Sequence, residues 1–183
     1  MQGKRLVLIS LAATICFAVI GPSLRAQATK PGPENKKLEV FLGSWTFEWD
    51  TKASVFGPAG RITGVERYES MPGGFFVQMN REAKGPQGDF RDHFVFGYDP
   101  VAKKHTLTIF GLADGTSGSY TGTANGNIWA WSGSGHTGSG KSYQERCTVT
   151  VAAGGASFAL KCEATGDGKT WSPSIDGKYT KSR

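Results

Sequence analysis

Cys147-Thr-Val-Thr-Val-Ala-Ala-Gly-Gly-Ala-Ser-Phe-Ala-Leu-Lys-Cys162 reads as a β-hairpin, and that reading sets the fold class. A two-residue turn at Gly154-Gly155 places Cys147 directly opposite Cys162. Period-two alternation then puts both cysteines on the face that carries Val149, Val151, Phe158 and Leu160, while Thr148, Thr150, Ser157 and Lys161 take the other. The expectation is a Cys147–Cys162 disulfide that closes a short loop; two buried free thiols are the alternative.

Alternation of the same kind runs outward in both directions. Trp45, Phe47 and Trp49 share one face of a first strand at about 45–50, and a second strand runs from about 61 to 70. Met71-Pro72-Gly73-Gly74 turns it into a third at about 75–82, with Phe75, Val77, Met79 and Arg81 in phase. Beyond a loop at 83–88, Phe90, Asp92, Phe94, Phe96 and Tyr98 line one face of a fourth strand. Asp99-Pro100 leads into a fifth, which carries His105, Leu107 and Ile109. Asn125-Gly126 is a type I′ turn signal that sets Gly122 against Trp129 and Tyr120 against Trp131. Gly166-Asp167-Gly168 precedes a last segment from Trp171 to Tyr179. Such a series predicts nine or ten antiparallel strands in meander order. Closing them into an up-and-down barrel leaves no edge open to aggregation. Before the first strand, Lys36 to Leu42 is read as one short helical turn.

The N-terminus has a different composition. Lys4 and Arg5 precede an apolar run from Leu6 to Ile20, followed by Gly21-Pro22 and the small-x-small triplet Ala26-Gln27-Ala28. The run is shorter than the roughly 20 residues of a spanning helix, so residues 1–28 are expected to be a removable signal peptide. Residues 29–37 then form a flexible linker and 38–183 the barrel domain. The mature chain is expected to be exported, either periplasmic or secreted, with no membrane span, and an even pair of cysteines suits that compartment. The chain's charge of +6 includes Lys4, Arg5 and Arg25 of the leader, which leaves 18 basic residues against 15 acidic. No basic cluster interleaved with aromatics remains, which argues against nucleic acid as a partner. The 26 glycines are scattered among Thr, Ser, Val and aromatic residues, as expected of short strands and tight turns.

Phe41-Leu42-Gly43-Ser44-Trp45 contains the Gly-x-Trp that opens the first strand of lipocalin-like (calycin) barrels. Together with Gly73-Gly74-Phe75, Gly97-Tyr98-Asp99-Pro100 and Tyr179-Thr180-Lys181, it resembles a secreted bacterial family of unknown function with a calycin-type barrel, over about residues 38–181. The resemblance implies a fold and a cavity but no reaction. Haem-binding barrels of related architecture use a histidine near the C-terminus. The last histidine here is His136, so haem is not expected, and no other cofactor is expected either.

Gly135-His136-Thr137-Gly138-Ser139-Gly140-Lys141-Ser142 satisfies the phosphate-loop spacing. A true phosphate loop leads into a helix, whereas Tyr143 to Val151 alternate as a strand, so the match is read as a hairpin loop. His93, His105 and His136 lack metal-ligand spacing, and Asp92 and His93 point to opposite faces, so no metal is expected. No nucleophile elbow is present.

Charge on otherwise apolar faces is the remaining signal. With the turn at Pro72-Gly73, Glu66 is expected opposite Met79 and Tyr68 opposite Val77. Met79 then faces Asp92, with Arg81 diagonal to it, so Glu66, Arg81 and Asp92 meet inside the barrel. Tyr98 and His105 pair across the next turn, and Glu145 joins from the strand ahead of Cys147. A one-residue slip would send all of these to solvent. The favoured expectation is a cavity for a small hydrophobic or amphipathic molecule, with Glu66, Arg81, Asp92, Tyr98, His105, Trp129 and Trp131 as candidate binding residues. Phe75, Val77, Phe94, Phe96 and Tyr120 would complete its walls. Two alternatives remain open: acid–base catalysis by the interior carboxylates and His105, and a packed barrel acting through its surface as an envelope interaction module.

Overall fold

The computed structural model describes residues 30–182; the leader expected at 1–28 lies outside them. Ten antiparallel strands close on themselves: β1 (Gly43–Thr51), β2 (Gly60–Ser70), β3 (Val77–Gly85), β4 (Gly88–Asp99), β5 (Lys104–Gly111), β6 (Ser117–Asn125), β7 (Ile128–His136), β8 (Ser142–Val151), β9 (Ser157–Thr165) and β10 (Ser172–Lys181). Each strand pairs with its neighbours in sequence, and β1 pairs with β10, so the topology is up-and-down with no free edge. No helix among the described residues is long and apolar enough to cross a membrane.

Inward positions follow the alternation. Trp45, Phe47 and Trp49 of β1, Val149 and Val151 of β8, and Phe158 of β9 are buried, while their neighbours face solvent. Where two large rings would collide across the barrel wall, one partner is glycine. Gly122 pairs with Trp131, and a Cβ there would lie 2.5 Å from the indole. One irregularity departs from this order. A β-bulge between Pro173 and Ile175 breaks the alternation of β10 and buries Ser174.

The short helix begins earlier than its sequence suggests. Helix α1 spans Pro33–Lys37, inside the stretch assigned to the linker, and a 3₁₀ helix, Leu38–Phe41, continues it. Pro33 supplies a preset first-turn φ, and Asn35 folds back so that its side-chain oxygen accepts from the Gly32 N–H at 3.1 Å. The segment plugs one end of the barrel. Leu38 and Phe41 are buried there, Trp45 donates its indole N–H to the Phe41 carbonyl at 2.6 Å, and Asn35 donates to the Phe75 carbonyl at 2.9 Å.

Three hairpins close two residues away from their expected register. Phe75 and Phe76 join the β2–β3 loop, where Met71 N–H donates to the Phe76 carbonyl, so Glu66 faces Arg81 and Tyr68 faces Met79. The β3–β4 turn tightens to Pro86-Gln87, and Arg81 therefore faces Asp92 directly instead of diagonally. The β6–β7 turn centres on Gly126-Asn127, with Gly126 at a φ of +58°, which pairs Ala124 with Trp129. A two-residue shift preserves every face, so the inward sets survive all three changes.

The β8–β9 hairpin keeps the expected register. Cys147 lies opposite Cys162, and the two are joined as a disulfide across 15 residues of sequence. Replacing both cysteines by alanine is expected to lower stability by roughly 3 kcal/mol, read from denaturant midpoints under non-reducing conditions. The same loss should appear in the native protein on adding a reductant, and only there.

Candidate functional site

Three strands build a charged cluster in the barrel interior. Glu66 on β2, Arg81 on β3 and Asp92 on β4 lie abreast in the sheet. Arg81 donates through Nε to Glu66 Oε1 at 2.8 Å and through Nη1 to Asp92 Oδ2 at 3.0 Å. Glu66, at 1% exposure, also accepts from the Tyr68 hydroxyl at 2.6 Å and the Tyr179 hydroxyl at 3.3 Å. Trp49 in turn donates to the Tyr179 oxygen at 2.9 Å. The guanidinium carbon sits 4.4 Å from the Trp49 ring centroid and 4.6 Å from that of Phe94. Burial opposes the charge on Arg81, but the Glu66, Tyr179 and Asp92 neighbours outweigh it and hold its pKa above the ordinary value. Burial raises Asp92 in spite of the Arg81 contact, and it raises Tyr68 and Tyr179 well above the usual phenol range. This is a connected polar network in which each charge has a partner, the condition under which buried ions are tolerated.

A second cluster faces it from β6, β8 and β10. Glu145, at 8% exposure, accepts from the Tyr120 hydroxyl at 2.9 Å through Oε2, and Tyr120 also reaches the Tyr143 hydroxyl at 3.3 Å. Its other oxygen, Oε1, and the buried Ser174 hydroxyl have no hydrogen-bond partner among the described residues. Burial pushes the Glu145 carboxyl up to about 7, against the opposing pull of the Tyr120 hydroxyl, the Arg81 charge and the Ser174 hydroxyl, which approaches the carboxylate without meeting hydrogen-bond geometry. Burial likewise raises both tyrosines.

Between the clusters lies an inner chamber of about 140 Å³, walled by residues that include Met79, Phe96, Leu107, Trp131 and Val149. It adjoins a vestibule of about 500 Å³ at the end opposite the helix, beneath the 52–59 loop whose Phe56 packs edge-on against Tyr143 at 4.8 Å. Trp49, Arg81, Phe94, Tyr120 and Glu145 line both spaces and so form the passage between them. A larger concavity of about 760 Å³ lies on the outer wall, with Thr121, Ser132, Thr148 and Lys161 on its lining; those side chains are outward-facing and polar, and none of the two interior clusters contributes to it.

The seven candidate binding residues separate by position. Arg81 and Trp131 line the inner chamber, Asp92 lines the vestibule, and Glu66 lies behind Arg81 as its partner. Tyr98, His105 and Trp129 are gathered at the plugged end, outside the lining of either chamber. His105 packs 4.8 Å from the Trp129 centroid and 5.1 Å from that of Tyr98. Its Nε2 donates to the Glu34 carbonyl at 3.1 Å, and burial lowers its pKa. His105 therefore anchors the helix, and Glu145 is the carboxylate on the wall of the inner chamber. Phe94, Phe96 and Tyr120 line the chambers as expected, whereas Phe75 and Val77 do not.

Glu145 carries more of the site than its sequence context suggests. Its place on the inward face follows from Cys147, two residues on in the same strand, but its partner Tyr120 comes from β6, two strands away. Cys147 and Cys162 lie near Glu145 in a grouping of the kind that can hold a metal, but their sulfurs are bonded to each other and offer no thiolate.

The two clusters differ in what they do for stability. Arg81→Met leaves Glu66 and Asp92 facing an apolar wall without their counter-charge, so a loss of about 3–5 kcal/mol is expected in chemical denaturation. Glu145 keeps its proton in the folded protein up to about 7, whereas the unfolded carboxyl releases it near 4.5. Between those values the native state holds a proton the unfolded chain has lost, so stability falls as pH rises through that window, by roughly 3 kcal/mol in all. Glu145→Gln should flatten this part of the stability–pH curve, compared point by point with the parent.

The fold matches that of a solved structure. The crystal structure of Rv2717c from M. tuberculosis aligns with a TM-score of 0.62 at 13% identity, covering 84% of this chain and 100% of that one. A de novo designed fluorescence-activating β-barrel aligns at 0.43 with 10% identity, covering 79% and 95%. The structure of EF1p2_mFAP2b bound to DFHBI aligns at 0.44 with 9% identity, covering 81% and 98%. No curated protein matches the chain. Residues 30–181 match the family described as "Protein of unknown function (DUF1579)", and by that match the chain belongs to the DUF1579 family.

Proposed function

We propose that the mature chain, exported after removal of residues 1–28, binds a small, partly apolar molecule in the inner chamber, admitted through the vestibule. The observation that carries this reading is an aromatic chamber whose wall holds a buried carboxylate oxygen without a partner among the described residues. An unsatisfied buried acceptor is costly, and a ligand that donates to it removes that cost. The chamber's size supports the same reading, because an apolar cavity of about 150 Å³ accommodates a benzene ring. Arg81 shapes the wall, since each of its three nitrogens is already in contact with Glu66 or Asp92. Tyr120 and Glu145 supply the polar contact, and Phe94, Phe96 and Trp131 the apolar one.

The reading is tested with 2-phenylethanol as a neutral probe, following the fluorescence of Trp49 and Trp131, which line the chamber. Saturable binding is expected, and Leu160→Phe, which fills the chamber from β9, should abolish it while shifting the melting temperature by only a few degrees. Probe uptake that survives the filled chamber would place binding elsewhere. Native mass spectrometry of protein expressed with its leader adds an independent readout: a bound mass that leaves on denaturation identifies the natural occupant.

A further inference from the structure

The inner chamber has two charged lining residues among those described, Arg81 and Glu145. Arg81 is held between the Glu66 and Asp92 carboxylates, which lie 2.8 and 3.0 Å from its nitrogens. One guanidinium thus stands among three carboxylates: the Glu66 and Asp92 pair already outweighs it, and ionising Glu145 makes the interior more negative still. An anionic ligand attracted to Arg81 would meet the repulsion of all three acids, and a neutral one would leave the imbalance in place. Aromatic faces surround the same space: Trp49, Phe94 and Tyr120 at the passage, Phe96 and Trp131 beyond it. Ring faces attract cations, and a carboxylate at the edge of such a wall adds a charge-assisted hydrogen bond.

We infer that the chamber is selective for an organic ammonium ion with an apolar, ring-sized body, whose N–H groups are accepted by Glu145 Oε1 and the Ser174 hydroxyl. This inference rests on the cavity reading above and adds the chemical class of the ligand. The ring occupies the inner chamber, and the ammonium sits at the passage, where Glu145 lines both spaces. Glu145 then acts as the acceptor and counter-ion, and Arg81 positions Asp92 and Glu66 without touching the ligand.

The groups that face Glu145 are Tyr120 from β6, Tyr143 on its own strand, Arg81 from β3 and Ser174 from β10, with Asp92 beyond Arg81 on β4. Lys52, Asp89, Arg91 and Asp114 line the vestibule, a balanced set of two cations and two acids. Of these groups, the Glu145 carboxyl changes charge near neutral pH, at about 7. An alkylammonium stays protonated to about pH 10, as lysine does. Affinity for the cation should therefore rise about tenfold between pH 6 and 8, in step with the ionised fraction of a group titrating near 7.

The experiment compares three probes of one shape on the purified protein by calorimetry or tryptophan fluorescence: phenethylamine, 2-phenylethanol and 3-phenylpropanoate. The expected order is amine at least tenfold tighter than alcohol, with the carboxylate weakest. Glu145→Gln should cost the amine about tenfold and remove its pH dependence. Near-ultraviolet circular dichroism and the melting temperature of the variant distinguish a folding defect from a lost counter-ion. Should the variant fail to fold, the probe order and pH profile of the parent decide the matter. Equal binding of all three probes, or preference for the carboxylate, overturns the ammonium assignment and leaves the cavity reading standing. No binding of any probe overturns both.

Discussion

A guanidinium inside a barrel has to be neutralised by its neighbours, and the way Arg81 is neutralised organises the rest of the interior. Glu66, Arg81 and Asp92 come from three adjacent strands at the same height, so the ion pairs are also a register lock on β2, β3 and β4. Slipping one of those strands by two residues would keep its apolar face inward but separate the charges, and separated buried charges are far more costly than paired ones. The tyrosines extend the lock around the closure: Tyr179 of β10 donates to Glu66, and Trp49 of β1 donates to Tyr179. The seam between the first and last strands is therefore held by side chains as well as by the backbone ladder.

The same arrangement leaves the barrel asymmetric along its axis. At the helix end, Leu38, Phe41, Trp45, Trp129 and Phe158 pack together, and Phe41 lies within 6 Å of the Tyr68, Trp129 and Phe158 rings. His105 belongs to this half, where its bond to the Glu34 carbonyl ties the plug to β5. In the opposite half, glycines of β6 and β7 lie against Tyr120 and Tyr143, where larger side chains would collide with the tyrosines. The chambers therefore occupy the middle and the open end. Of the three inward acids, Glu145 lies on their boundary, where a desolvated carboxylate can be offset by a ligand as well as by the protein.

Much of this is legible residue by residue. Alternation assigns Trp45, Phe47, Trp49, Phe94 and Phe96 to the interior, and Cys147 and Cys162 to opposing positions, because a strand's period is two and a short hairpin has few registers. Turn lengths are less legible. Phe75 and Phe76 look like strand residues by composition but lie in the β2–β3 loop, which is why alternation alone sets Glu66 opposite Met79 and not Arg81. The places of His105 and Trp129 escape a local reading for another reason: both point inward, and nothing nearby in the chain says which end of the barrel the N-terminal segment will close.

The amino-acid sequence by itself determined the strand count to within one, the inward set, the opposition of the two cysteines and the presence of charge among apolar neighbours, since each follows from alternation and turn chemistry over a few residues. Only the tertiary structure decided which inward side chains meet. Tyr120 and Glu145 come from β6 and β8, Ser174 enters at a bulge in β10, and Arg81 approaches them from β3 across the lumen. Contacts of this kind depend on barrel closure and on how far the plug reaches in. The cavity and its unpartnered carboxylate oxygen are therefore properties of the closed sheet, and no single segment encodes them.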